Sequence, residues 1–75
     1  MSPRLPRITA TQLLRALHRD GWYEVRQVGS HISLQHPTKV NTVTVPRHSG
    51  TLKLGTLAGI LDQIGLTVED LLNLL

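Results

Sequence analysis

The segment His31-Ile32-Ser33-Leu34-Gln35 alternates polar and apolar residues without a break, and Thr42-Val43-Thr44-Val45 repeats the pattern one turn later. Strand side chains point to opposite faces in turn, so such segments need a sheet with one buried face and one open face. Ile32, Leu34, Val43 and Val45 are then core, and His31, Ser33, Gln35, Thr42 and Thr44 lie on the open side. A third segment, Trp22 to Val28, mixes aromatic, branched and polar residues as a half-buried strand does. Gly29-Ser30 reads as one turn and His36-Pro37-Thr38-Lys39 as the next, since Pro37 is unsuited to a central strand. The pattern predicts a meander of three antiparallel strands, the last ended by Pro46.

Helical signals flank this sheet. Thr9 is a good N-cap, Gln12 completes a capping box, and Ile8 with Leu13 fits a hydrophobic staple. Ala10, Leu13, Leu14 and Leu17 recur at helical spacing, and Gly21 is a natural stop. These residues predict a helix over Ala10–Asp20. Leu57, Ile60, Leu61 and Ile64 predict a second over Thr56–Ile64, stopped by Gly65. Thr67 and Asp70 open a last short helix with Leu71, Leu72 and Leu75 on its apolar side. A helix that short must dock to be ordered. The leader, Met1–Arg7, holds Pro3 and Pro6 and should be irregular. The expected architecture is α+β, helix–three-stranded antiparallel sheet–helix with a short C-terminal helix, as one domain over residues 1–75. The helices share one face of the sheet.

Composition narrows the classes of function. A chain of 75 residues buries only about 60% of the surface it exposes when unfolded, which leaves no room for a deep cofactor pocket. There is no cysteine, so disulfides and thiolate metal sites are excluded, which fits a cytoplasmic setting. No long apolar run exists to span a membrane, and no apolar stretch follows Arg4 as a secretory signal requires. Charge is uneven. Met1 to Lys53 carries eight basic and two acidic residues, and Leu54 to Leu75 carries three acidic residues and no basic one. A basic body with an acidic tail points to a polyanionic partner.

His31 is the sharpest candidate for chemistry. It opens a strand beside Gly29 and Ser30 on the expected open face, and imidazole exchanges a proton near neutrality. Gly29 lets a long substrate approach the backbone. Ser30 can hold a phosphate oxygen or orient the ring. Arg26, Lys39, Arg47 and Lys53 fall in or beside the sheet, where arginine reads phosphate as a fork and lysine as a point charge. Arg15 and Arg19, four apart on the first helix, would extend that surface. His36 and His48 lie near strand ends. His31 and His36 face opposite sides of a straight strand and form no obvious ligand pair. No metal motif is present, and no cofactor is implied. Either Trp22 or Tyr23 faces outward and can stack on bases, and alternation alone leaves open which.

These stretches carry a resemblance. Gly21-Trp22, Arg26-Gln27-Val28-Gly29-Ser30-His31, His36-Pro37, Val43-Thr44-Val45-Pro46-Arg47-His48 and Leu52-Lys53-Leu54-Gly55-Thr56-Leu57, followed by Ile60-Leu61 and Gly65-Leu66, together resemble the HicA family of bacterial toxins. The resemblance implies a double-stranded-RNA-binding-domain-like fold. It implies messenger-RNA cleavage with His31 as the catalytic residue, acting on single-stranded RNA. It also implies a cognate HicB-type antitoxin that covers the active face. On this reading Arg26, Gly29, Ser30, Lys39, Arg47, His48 and Lys53 hold RNA, and the chemistry needs no metal. The alternatives are a non-catalytic RNA-binding module and a protein-interaction module.

Overall fold

The computed structural model describes residues 4–75. The elements run α1 (Ala10–Arg19), β1 (Tyr23–Val28), β2 (His31–Gln35), β3 (Val43–Pro46), α2 (Leu54–Ile64) and α3 (Val68–Leu74). The strands form one antiparallel sheet in the order β1-β2-β3, so the expected α+β meander with its helices is the observed fold. Its thinnest dimension is 18 Å, which accommodates one sheet and one helix layer. The leader is irregular from Arg4 onward, and the rest of that expectation lies outside the described residues.

Each helix forms for a legible reason. Thr9 caps α1 with its side chain, and Gln12 returns the bond to the Thr9 backbone. Ala10, Leu13, Leu14 and Leu17 are buried as expected, and so is Ala16. Asp20 caps the C-terminus, one residue short of the expected helix end. Thr67 and Asp70 make the same reciprocal cap on α3. Only Leu71 of α3 is fully buried. Leu72 and Leu75 are exposed, and Leu74 and Val68 pack against the core instead. α2 starts two residues earlier than its apolar stripe suggests. Its N-cap is Lys53, which has extended backbone and no side-chain cap, so no capping signal marks the start.

Ile32, Leu34, Val43 and Val45 face the helices and are buried with Leu13, Leu17, Leu57 and Leu61 in one apolar cluster. No charged or polar residue is buried among the described residues. β1 differs from its expectation. It is exposed along its whole length rather than half-buried. It is the edge strand that the helices leave uncovered, whereas they pack on β3 at the other edge, so Tyr23, Val25 and Val28 contribute nothing to the core. Trp22, just before it, is 2% exposed and packs in the core. Pro46 ends the third strand as expected, taking part in it as its last residue, opposite His31. An edge strand tolerates this because proline lacks only the N–H that would point away from the ladder.

Long-range contacts tie down the loops and helix ends. Leu52 N–H donates to the Ile8 carbonyl at 2.8 Å, and Thr51 bridges Thr9, which seats the loop after β3 beside the start of α1. Asn41 and Gln63 exchange side-chain bonds with each other's neighbourhood, to Gln63 O at 3.0 Å and to Thr42 O at 2.9 Å. Arg19 donates to the Leu74 carbonyl at 2.6 Å, joining α1 to the end of α3.

Candidate active face

The hairpin between β1 and β2 positions His31. Val28 pairs with His31, leaving Gly29 and Ser30 as a two-residue turn. Gly29 has φ of +57° and Ser30 a negative φ. That sign pattern suits a type II′ turn, whose twist matches the flanking strands. A side chain at Gly29 would meet open space, so the backbone conformation, not crowding, selects glycine there.

Cross-strand partners share a face, and the register therefore defines the open surface. His31 lies between Val28 and Pro46, Ser33 lies between Arg26 and Thr44, and Gln35 lies beside Tyr23. The Ser33 and Thr44 hydroxyls stand 3.5 Å apart at its centre. Arg47 N–H donates to the Ser30 carbonyl, so the residues after β3 are held against the hairpin turn. His48 follows, two residues beyond the strand partner of His31. Gly29, Ser30, His31, Arg47 and His48 thus meet at one end of the sheet, with Arg26 on the adjoining row. His31 is exposed, and neither ring nitrogen has a hydrogen-bond partner among the described residues.

Other cations lie elsewhere. Lys39 sits at the opposite end of the sheet, where it donates to the Asp20 carboxylate at 3.1 Å and lies 5.7 Å from the Trp22 ring centre. Lys53 is exposed at the start of α2. Arg15 and Arg19 belong to the helix layer on the other side of the sheet, and Arg19 is bound to α3. The continuous basic surface expected from helix plus sheet therefore does not form. Of Trp22 and Tyr23, Tyr23 is the outward one.

His36 has a structural task. Its Nδ1 faces the Thr38 N–H at 3.2 Å and its Nε2 faces the Asp20 carbonyl at 2.7 Å. An N–H can only donate and a carbonyl can only accept, so Nδ1 is bare and Nε2 carries the proton. The ring also meets Trp22 edge-on, with centroids 5.3 Å apart. A groove of about 670 Å³ runs beside this latch between Trp22, Lys39, Asn41 and Gln63, at a distance from the His31 surface. Among the described residues no three His, Cys, Asp or Glu side chains converge as a metal site requires.

The fold and this surface define a small α+β protein with one sheet face packed by helices and the other carrying an unpartnered histidine among arginines. Residues 10–66 match the family described as HicA toxin of bacterial toxin-antitoxin, and the chain belongs to that family. No curated protein matches the chain closely enough to be counted a relative. No helix is long and apolar enough to cross a membrane among the described residues.

Proposed function

We propose that the chain is an endoribonuclease toxin that cleaves messenger RNA at the open sheet face, with His31 as its proton-transfer group. One observation carries this reading. In a chain of the HicA toxin family, the one histidine that opens the central strand is exposed, unpartnered and flanked by the Arg26 row and the Arg47 end. A flat surface of this kind admits a polymer and encloses no small substrate.

The economical chemistry is transfer within the RNA strand. The 2′-oxygen attacks the adjacent phosphorus, the P–O2′ bond forms and the P–O5′ bond breaks. His31 takes the proton from the 2′-hydroxyl or gives one to the departing 5′-oxygen. Arg47 and Arg26 steady the charge on the phosphate, and Ser30 and the backbone at Gly29 guide the strand past the turn. His48 and Lys53 extend the phosphate track. Lys39, held by Asp20, contributes less. The route needs no metal, and DNA is refused because it lacks the hydroxyl. A cognate HicB-type antitoxin covers the same face, and exposed Val28 beside His31 gives it an apolar contact.

The test is a cleavage assay on long single-stranded RNA in EDTA, with antitoxin-free protein and its His31→Ala variant. Cleavage by the parent alone supports the reading. Equal cleavage by both, or none by a folded parent, sinks it.

A further inference from the structure

β1 carries a bulge between Glu24 and Arg26, and this bulge decides what the open face presents. Beyond it, Arg26 pairs with Ser33 and Val28 with His31. Before it, Tyr23 pairs with Gln35 and Glu24 with Leu34. Without the extra residue, Tyr23 would fall on the opposite face from Arg26 and Val28, because a one-residue shift reverses every side chain. With it, Tyr23, Arg26 and Val28 share the face of His31, and Glu24 turns to the helix side, where its carboxylate lies 3.9 Å from His18 of α1. The face thereby gains an aromatic ring and loses a carboxylate.

The geometry is a line. Tyr23 stands beside Gln35, Arg26 beside Ser33, and His31 at the far end of the same strand. Strand rise places the aromatic row about 13 Å from the histidine, with the arginine midway. The Tyr23 side chain is available, since the residue is 46% exposed and contributes nothing to the core. All the described acidic residues lie off this face: Asp20 caps α1, Glu24 points to the helix side, and Asp62, Glu69 and Asp70 belong to α2 and α3.

We infer that Tyr23 is a stacking platform for an unpaired RNA base, on one track with Arg26 for a phosphate and His31 for the reacting ribose. Charge selects the occupant: a face with arginine and no carboxylate fits a polyanion, and an exposed ring fits its bases. The inference rests on the proposed RNA chemistry and adds a positioning residue to it. Tyr23 touches no reacting atom.

The experiment uses the full chain in two forms. In the His31→Ala background, affinity for an unpaired oligoribonucleotide is followed by fluorescence anisotropy across a salt series. Tyr23→Leu weakens binding by about five- to a hundredfold and leaves the salt slope unchanged, because a base is released and no phosphate. Tyr23→Phe restores binding. Arg26→Gln instead lowers the slope by about 0.7. With His31 intact, Tyr23→Leu raises KM more than it lowers kcat. Melting curves stay superimposed, which a structural role would not allow. If Tyr23→Leu binds and cleaves like the parent while the parent is active, the platform is refuted and the nuclease reading stands. The platform is equally refuted if Phe fails to rescue, or if Tyr23→Leu loses only a copurifying protein partner. If a folded parent neither binds nor cleaves RNA, both fall together.

Discussion

The two ends of the sheet are built from the same kinds of residue and left in opposite states. At one end stand Gly21, His36 and Lys39; at the other, Gly29, His31 and Arg47. Each end has a glycine of positive φ, a histidine and a cation. At the first end the histidine and the cation both have partners. His36 is bonded through both ring nitrogens, and Lys39 is paired with Asp20 while lying against Trp22. At the second end the backbone is secured by the bond from Arg47 N–H to Ser30, but the His31 and Arg47 side chains have no partner among the described residues. Residue type does not distinguish a latch from an open surface. What distinguishes them is whether neighbouring donors and acceptors have already been satisfied.

Exchanging the loss of one histidine for the other breaks this comparison most sharply. His31→Ala should lower RNA cleavage by about a hundredfold or more, the usual reach of a positioned acid or base. Its melting temperature should match the parent's, because an exposed side chain without partners is removed. His36→Ala should do the reverse. It strips the Asp20 carbonyl and the Thr38 N–H of a shared partner and uncovers Trp22, a loss of about 1–3 kcal/mol. Cleavage per folded molecule should stay within about threefold of the parent. Paired melting and gel-cleavage measurements decide it. A His36 variant that melts normally but is inactive would remove the distinction between the ends.

The glycines make a second, smaller contrast. Gly21 has φ of +103°, and a Cβ there would stand 2.8 Å from His36 Nε2. Gly29 has φ of +57° and open space around it. Gly21→Ala therefore combines backbone strain with displacement of the latch, for about 2–3 kcal/mol in chemical denaturation. Gly29→Ala carries only the strain, about 1 kcal/mol, and should weaken cleavage by placing a methyl group beside the strand path. Equal destabilisation by both would mean that His36 yields readily, and that the latch is looser than its two bonds suggest.

Legibility follows the same division. The apolar stripes, both capping boxes and the alternation of His31–Gln35 and Thr42–Val45 rest on local periodicity, and each produces its element within a residue or two. The HicA resemblance is readable because its motifs are short contiguous runs spread from Gly21 to Leu66. β1 reads as half-buried in sequence and is not, because which edge strand the helices cover is a property of the whole fold; β3, the other edge, buries Val43 and Val45. Period-two patterning leaves the faces of Trp22 and Tyr23 undecided because a bulge leaves no mark in it. The separation of Lys39 from the His31 end, and of Arg19 from the sheet, also depends on tertiary contacts. Asp20 and the Leu74 carbonyl lie 19 and 55 residues from the cations that they hold.

The cations supply the finest test. Arg47→Gln removes a guanidinium at the end where the proposed reaction builds charge on the phosphate, and cleavage should fall by about tenfold with no change in melting. Lys39→Met removes a cation that Asp20 already partly neutralises. Both partners keep solvent contact, so stability should change by less than about 1 kcal/mol and cleavage by less than about twofold. The two variants remove the same formal charge, so a nonspecific charge effect predicts equal losses at low salt. A position-specific effect predicts a larger loss for Arg47→Gln at low salt, which narrows as salt is raised because a phosphate contact and its counterion release are gone. Single-turnover cleavage across a salt series separates the two cases, and equal losses would reassign Lys39 to the RNA track.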